Sequence, residues 1–171
     1  GPGNMIIDAL VERYTGGGMT YDHDGVMAAA GQVQEKLLND LLAHPYFAEA
    51  PPKSTGRETF GEGYAQDLWE RLRDAGVPCH DAIATATALT AESIARAYRN
   101  FLLPHGGIDE VILGGGGSYN ATLRAMFAAR LPGIPISTHE DHGISVEAKE
   151  AIAFALLGHA TLCGVPANVP S

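Results

Sequence analysis

Apolar residues in this chain recur mostly at helical spacing. Met5, Ile6, Leu10 and Val11 alternate with polar positions and predict a short amphipathic helix from Asn4 to Tyr14, ended by Gly16-Gly17-Gly18. Val26, Val33, Leu37, Leu38, Leu41 and Leu42 predict one helix from Asp24 to Leu42, stopped by Pro45. Pro51-Pro52-Lys53-Ser54-Thr55-Gly56-Arg57-Glu58 reads as a rigid polar loop. Leu68, Trp69 and Leu72 mark a helix from Tyr64 to Ala75, broken by Gly76-Val77-Pro78. His80 to Leu103 is rich in Ala and Thr, with small residues on every side, which predicts a long buried helix packed closely on its neighbours.

The pattern changes after Gly106-Gly107. Glu110 to Leu113 reads as a buried strand running straight into Gly114-Gly115-Gly116-Gly117. Ser118 or Asn120 is placed to cap the next helix, Ala121 to Leu131. A short strand, Ile134 to Ser137, follows, then a turn rich in His and acid, then a last helix from Val146 to Cys163 ended by Gly164 and Pro166. The result is a helix-rich α/β chain with one strand-helix-strand-helix unit. Two strands are too few for an independent sheet. The chain is therefore expected to be one domain, 1–171, of a larger protein whose other strands precede Gly1.

The glycine run is the most informative feature. A strand, a bare turn and a helix N-terminus leave amide N–H groups facing outward, which suits a phosphate. Ser118-Tyr119 stands where a Walker A loop needs Lys-Ser/Thr, and the dinucleotide fingerprint fails because its third glycine falls on Tyr119 or Asn120. Nucleotide contact and a tight turn both remain open on local grounds. Gly1-Pro2-Gly3-Asn4 is a second glycine loop opening a helix, readable as a binding loop, a cap or an extraneous tag. Lys53 and Arg57 suit a phosphate or carboxylate, or simply a solvated loop. Thr138 to Gly143 contains metal-ligand residue types but reads as a polar turn. In Asp22-His23-Asp24-Gly25, Asp24 is the expected helix cap, with magnesium or sugar contact as the alternative. Glu147 and Glu150 complement a helix dipole, and Glu150 heads an apolar stretch that can point it into a cleft.

Composition narrows the classes. The net charge of −9 argues against a general nucleic-acid binder, which needs a basic face. No apolar stretch approaches the roughly 20 residues of a membrane span. Cys79 and Cys163 stand far apart in sequence, as expected of free thiols in a reducing cytoplasm.

Five segments, in order, resemble motifs of the anhydro-N-acetylmuramic acid kinase family, in the superfamily of sugar kinases, actin and heat-shock chaperone ATPases. They are Gly1-Pro2-Gly3-Asn4 with Ile7-Asp8; Asp22-x-Asp24-Gly25 to Gly31; Pro51 to Glu58; Gly114-Gly115-Gly116 with Asn120; and Gly143-Ile144 through Lys149-Glu150-Ala151 to Phe154-Ala155. Gly164-x-Pro166-x-Asn168-x-Pro170-Ser171 adds a sixth. The resemblance covers essentially the whole chain. It implies the C-terminal, nucleotide-binding lobe of an actin-like (ribonuclease H-like) ATPase fold, with part of the sheet and the N-terminal lobe absent. It further implies an enzyme that uses ATP, Mg2+ and water to open the bridge of 1,6-anhydro-N-acetylmuramic acid and phosphorylate O6, in cytoplasmic cell-wall recycling. Under it, Gly114, Gly115, Gly116, Gly117 and Asn120 face the nucleotide, with Gly1, Gly3 and Asn4 near the phosphates. Lys53, Arg57 and Glu150 fall to the amino-sugar side. No catalytic base and no metal ligand are assigned here; the base is expected in the missing lobe, so this chain alone is expected to be inactive. A homodimer is compatible with the resemblance, and a non-catalytic nucleotide-binding module of the same superfamily is the alternative.

Overall fold

A computed structural model describes residues 1–167. Its centre is α6 (Cys79–Ala97), in which every residue from Ala82 to Ala91 is buried. Ala and Thr make this possible: small side chains let neighbouring helices approach from all sides. The threonine hydroxyls avoid an unsatisfied donor by bonding backbone. Thr87 Oγ1 donates to the Ile83 carbonyl (2.9 Å) and Thr90 Oγ1 to the Gly3 carbonyl (2.7 Å).

Around α6 pack α1 (Met5–Tyr14), α2 (Val26–Ala29), α3 (Glu35–Leu42) and, on the other side, α7 (Ala121–Arg130). The short α4 (Arg57–Phe60) and α5 (Glu62–Asp74) close over α1. The main core joins Ile6, Ile7, Leu10 and Val11 of α1 to Leu38, Leu41, Leu42, Leu68, Leu72, Ile83 and Leu89, around a fully buried Phe60. A second cluster joins the end of α6 to α7 and the sheet through Ala91, Ala95, Val111, Leu123 and Phe127. The sheet holds β1 (Val111–Leu113) and β2 (Ile136–Thr138), paired in parallel with Val111 opposite Ile136 and Leu113 opposite Thr138. α8 (Lys149–Leu162) follows.

The strand-helix-strand-helix unit and the buried α6 stand as expected, and several boundaries do not. The expected helix from Asp24 to Leu42 is two helices, α2 and α3. The chain between them runs against the N-terminus of α6, where a Cβ on Gly31 would overlap the His80 carbonyl. The Gln32 and Gln34 N–H groups donate to Asp81 Oδ1 (2.9 Å) and Thr85 Oγ1 (3.0 Å) instead of continuing a helix. Val26, expected to point inward, is exposed. α6 ends at Ala97, and Tyr98–Leu102 continues as one wider π turn. The polar loop ends in helix at Arg57, and the last helix begins at Lys149, not Val146. β1 is covered on one face only: Val111 is buried, whereas Ile112 is 45% exposed. Among the described residues β1 pairs with β2 alone, so its second edge is open.

Candidate functional site

The glycine run leaves β1, makes a 3-10 turn over Gly116–Tyr119 and feeds α7. Asn120 is the cap: it is buried, and its Oδ1 accepts from the Leu123 N–H (2.8 Å). The Ser118 hydroxyl donates to the Gly115 carbonyl (2.7 Å), stiffening the turn.

The four glycines have different reasons for lacking a side chain. A Cβ on Gly114 would meet the His139 ring at 2.7 Å, and one on Gly117 would meet Asn4 Oδ1 at 2.9 Å. Gly115 has φ of +77°, which side chains resist. Gly116 has neither constraint, since nothing lies within 4 Å of the place a Cβ would take. Its bare backbone opens onto two cavities at once, of about 600 Å³ and about 360 Å³.

The larger cavity is a cleft lined by Asn4, Ile7 and Asp8 of α1, Thr20 to Asp24, and Gly116, Tyr119 and Asn120. It brings together two segments far apart in the chain, the Gly1–Asn4 loop with α1 and the glycine turn. The Gly1–Asn4 loop is integral to the fold: Pro2 is fully buried and Gly3 accepts from Thr90 of α6. The extraneous-tag alternative is thereby removed. Asn4 also borders a mostly apolar cavity of about 360 Å³ with Gly3, Gly114 and Gly117.

Asp8, named in the sequence only as part of the first motif and given no role there, is a carboxylate of this cleft. It is half-buried on α1 among Ile6, Ile7, Leu10 and Val11, and its side chain lines the cleft. Burial, and secondly the negative charge of Asp22, push its carboxyl up to about 6. The available signal was an acid embedded in an apolar helical run four residues after a glycine loop.

The cap of α2 is Asp22 and not the expected Asp24. Asp22 is buried, and its two carboxylate oxygens accept from the Met27 N–H (2.8 Å) and the Ala28 N–H (2.9 Å). Asp24 stands exposed at φ of +54° and pairs with His23 at 3.2 Å, too far round the turn to reach those N–H groups.

Glu150 lines the smaller cavity with Gly115, Gly116, Tyr119, Glu147 and Lys149, so it sits beside the glycine turn. Lys53 and Arg57 do not line these cavities. Lys53 turns inward: its Nζ donates to the Tyr46 carbonyl (2.8 Å) and lies 4.6 Å from the centre of the Tyr46 ring. Arg57 points to solvent at the start of α4.

The Thr138 to Gly143 segment is a polar turn. Asp141 Oδ2 accepts from the N–H and hydroxyl of Thr138 (2.7 and 2.9 Å), and the Thr138 N–H above all holds its carboxyl below the ordinary range. His142 meets Ser137 and Glu110, both at 3.2 Å. Among the described residues no three His, Cys, Asp or Glu side chains converge as a metal site, and no helix is long and apolar enough to cross a membrane. Asn168, Pro170 and Ser171 of the sixth sequence segment lie outside the described residues.

The family described as anhydro-N-acetylmuramic acid kinase matches residues 1–171. Relatives bearing that name include proteins from Caldanaerobacter subterraneus subsp. tengcongensis (45% identical over 170 residues, 99% of this chain) and Clostridioides difficile strain 630 (42% over 171 residues, 100% of this chain). A protein of the same name from Bacillus cereus strain AH820 is 46% identical over 173 residues, again across 100% of this chain. This chain covers 43% of the first relative and 44% of the other two, so it spans less than half of each.

Proposed function

The chain belongs to the anhydro-N-acetylmuramic acid kinase family, and from that premise we propose that it is the nucleotide-binding, C-terminal lobe of a two-lobed sugar kinase. The substrates of the whole enzyme are ATP, water and 1,6-anhydro-N-acetylmuramic acid, and the product is N-acetylmuramic acid 6-phosphate, a step of cytoplasmic cell-wall recycling. The observation that carries the reading is Gly116: its backbone is bare for no internal reason, at a turn that opens onto two cavities. Such a turn ahead of a helix offers N–H groups to phosphate oxygens. The family reading implies Mg2+ with ATP, and among the described residues no three His, Cys, Asp or Glu side chains converge to hold it.

The chemistry divides between the walls of the cleft. The backbone of Gly114 to Gly117 receives the phosphates, with Asn120 fixing the turn and Asn4 packed against Gly117. Asp8 faces the same cleft, where burial raises its carboxyl to about 6, while the base that takes a proton from the water attacking C1 belongs to the other lobe. The C1–O6 bond breaks, and O6 accepts the phosphoryl group. Glu150 is placed to orient ligand beside the turn. Lys53 and Arg57 stand away from these cavities and reach ligand only if the other lobe brings it to them. Phosphoryl transfer relies on positioning and charge neutralisation, which a closing second lobe completes.

The decisive experiment uses the full-length protein. Calorimetry with ATP·Mg2+ should show binding, and ATP with the anhydro-sugar should yield the 6-phosphate. Absence of ATP binding, or of phosphorylated product from the native protein, would overturn the kinase reading in favour of a non-catalytic nucleotide-binding module. The 171-residue chain alone should yield no product.

A further inference from the structure

A turn that receives phosphates needs positive charge, and the glycine backbone offers only partial charges. The need is sharper in a chain whose own net charge is −9. The large cleft at the turn is lined by Asp8, Asp22 and Asp24 and by no lysine or arginine. The apolar cavity beside Asn4 has no such cation either. Lys53 is held at Tyr46, and Arg57 points to solvent. Lys149 is differently placed. It lines the smaller cavity together with the bare backbone of Gly115 and Gly116. Its Cδ lies 3.6 Å from the place a Cβ on Gly114 would take, so the lysine stem packs over the turn where a side chain is missing.

The fold itself makes no use of this charge. Lys149 is half-buried, yet none of the ion pairs or side-chain hydrogen bonds among the described residues engages its ammonium. It is also the first residue of α8, where a cation opposes the helix dipole and an acid is the stabilising choice. Glu150 meets that preference and Lys149 does not. An unpaired lysine, set against its own helix dipole and laid along this turn, is accounted for by an anion that the cavity takes. We propose that Lys149 binds a phosphate of ATP and supplies the full positive charge that the glycine backbone lacks. This role rests on the reading of the glycine turn as the nucleotide site. The lactyl carboxylate of the sugar is the competing anion. Position favours phosphate, because the same cavity wall is the Gly115 and Gly116 backbone. Glu147 and Glu150 share the cavity but are exposed, so solvent screens their repulsion of an anion there.

The test is ATP·Mg2+ affinity of the full-length protein by calorimetry, with KM for the anhydro-sugar measured alongside. Lys149→Met removes the charge and keeps an apolar stem. Lys149→Gln removes the charge and keeps a polar end, which serves if methionine disturbs folding. Both should weaken ATP binding about tenfold to a hundredfold, the range a hydrogen bond between charged groups supplies. The sugar KM should stay within about threefold. Lys149→Arg should recover most of the affinity, because a guanidinium also binds phosphate. The melting temperature without ligand should not fall in either neutral variant, since the lost charge opposed the helix dipole. Unchanged ATP affinity in a folded Met or Gln variant overturns the proposal. So does a raised sugar KM with ATP affinity intact, which gives the lysine to the lactyl carboxylate. A melting temperature lowered in both variants makes Lys149 a structural residue and overturns it as well. The two readings separate cleanly. A native protein that binds no ATP removes the nucleotide site and this role with it, whereas a native protein that binds ATP no better than its Lys149 variants removes this role alone.

Discussion

α6 and α8 are both apolar on every side and both rich in alanine, yet their surroundings are opposite. α6 buries twelve of its 19 residues. α8 buries none of its 14, and Ile152, Phe154, Leu156, Leu157 and Leu162 stand exposed around it. A helix that is apolar all round belongs inside something. α6 is enclosed by α1, α2, α3 and α7. α8 has no such enclosure among the described residues. It is too short for a bilayer: 14 residues rise about 21 Å, against a hydrocarbon core of about 30 Å. A single flat contact would cover one side of it only. The relatives are more than twice as long as this chain, and the other half of the kinase is the enclosure we propose. Exposed Ile112 on the open edge of β1 fits the same account. The difference teaches that an apolar composition suits a helix to enclosure without itself supplying the enclosure.

The largest effect should come from emptying the enclosed helix. Leu89→Ala, at a fully buried position, should cost about 2–5 kcal/mol in denaturant unfolding. Leu156→Ala in the 171-residue chain should cost under about 0.5 kcal/mol, since the side chain is 64% exposed. In the full-length protein the same Leu156→Ala should cost about 1–3 kcal/mol if the second lobe covers it. Equal, near-zero costs in both contexts would break the comparison, because α8 would then be a surface helix despite its composition.

The glycine turn repeats the contrast at the scale of single residues. Gly25 is on the packed side and Gly116 on the open side. Gly25→Ala should destabilise by about 2 kcal/mol or more, from the positive φ and the overlap with Asn120. Gly116→Val should leave the unfolding midpoint nearly unchanged, because nothing lies within 4 Å of its Cβ position. It should weaken ATP binding by calorimetry at least about tenfold by crowding the approach to the backbone. A Gly116→Val protein that binds ATP normally would mean that the open side is open for some other ligand.

How much of this could be read from residues alone follows the same division. Local patterns carried α1, α5, α6, α7 and the two strands, and capping chemistry carried Asn120, because their causes lie within a few residues. The break at Gly31 was hidden because its cause is the distant His80 carbonyl. The cap of α2 was assigned to Asp24 because proximity to the helix favours it; the left-handed turn at Asp24 hands the role to Asp22. Lys53 has the charge of an anion ligand, but the Tyr46 ring and carbonyl that capture it come from another turn. A role for Asp8 was the costliest omission. A half-buried acid on an apolar helix face is visible in sequence, but its meaning needs the cleft that loop and turn build together.

Asp8 also yields a small and diagnostic stability effect, since it sits on the boundary between enclosed core and open cleft. Its folded carboxyl is raised from 3.8 to about 6. Between those values the folded state binds more protons than the unfolded state, so stability falls as pH rises. The favourable contribution is fully present below about pH 4 and is lost through pH 6, leaving a charged, half-buried group at neutral pH. Asp8→Asn should therefore stabilise the protein at pH 7.5 and not at pH 4. Solvent screening of a half-exposed carboxylate reduces the gain to about 1 kcal/mol. That is about 2–4 °C in melting temperature for a chain of this size. Melting curves at the two pH values give the sign directly. A variant that is more stable but inactive would show Asp8 kept at a cost to the fold, as expected of a residue held for chemistry. A variant that is less stable at pH 7.5 would make Asp8 part of the enclosed core and remove it from the cleft's chemistry.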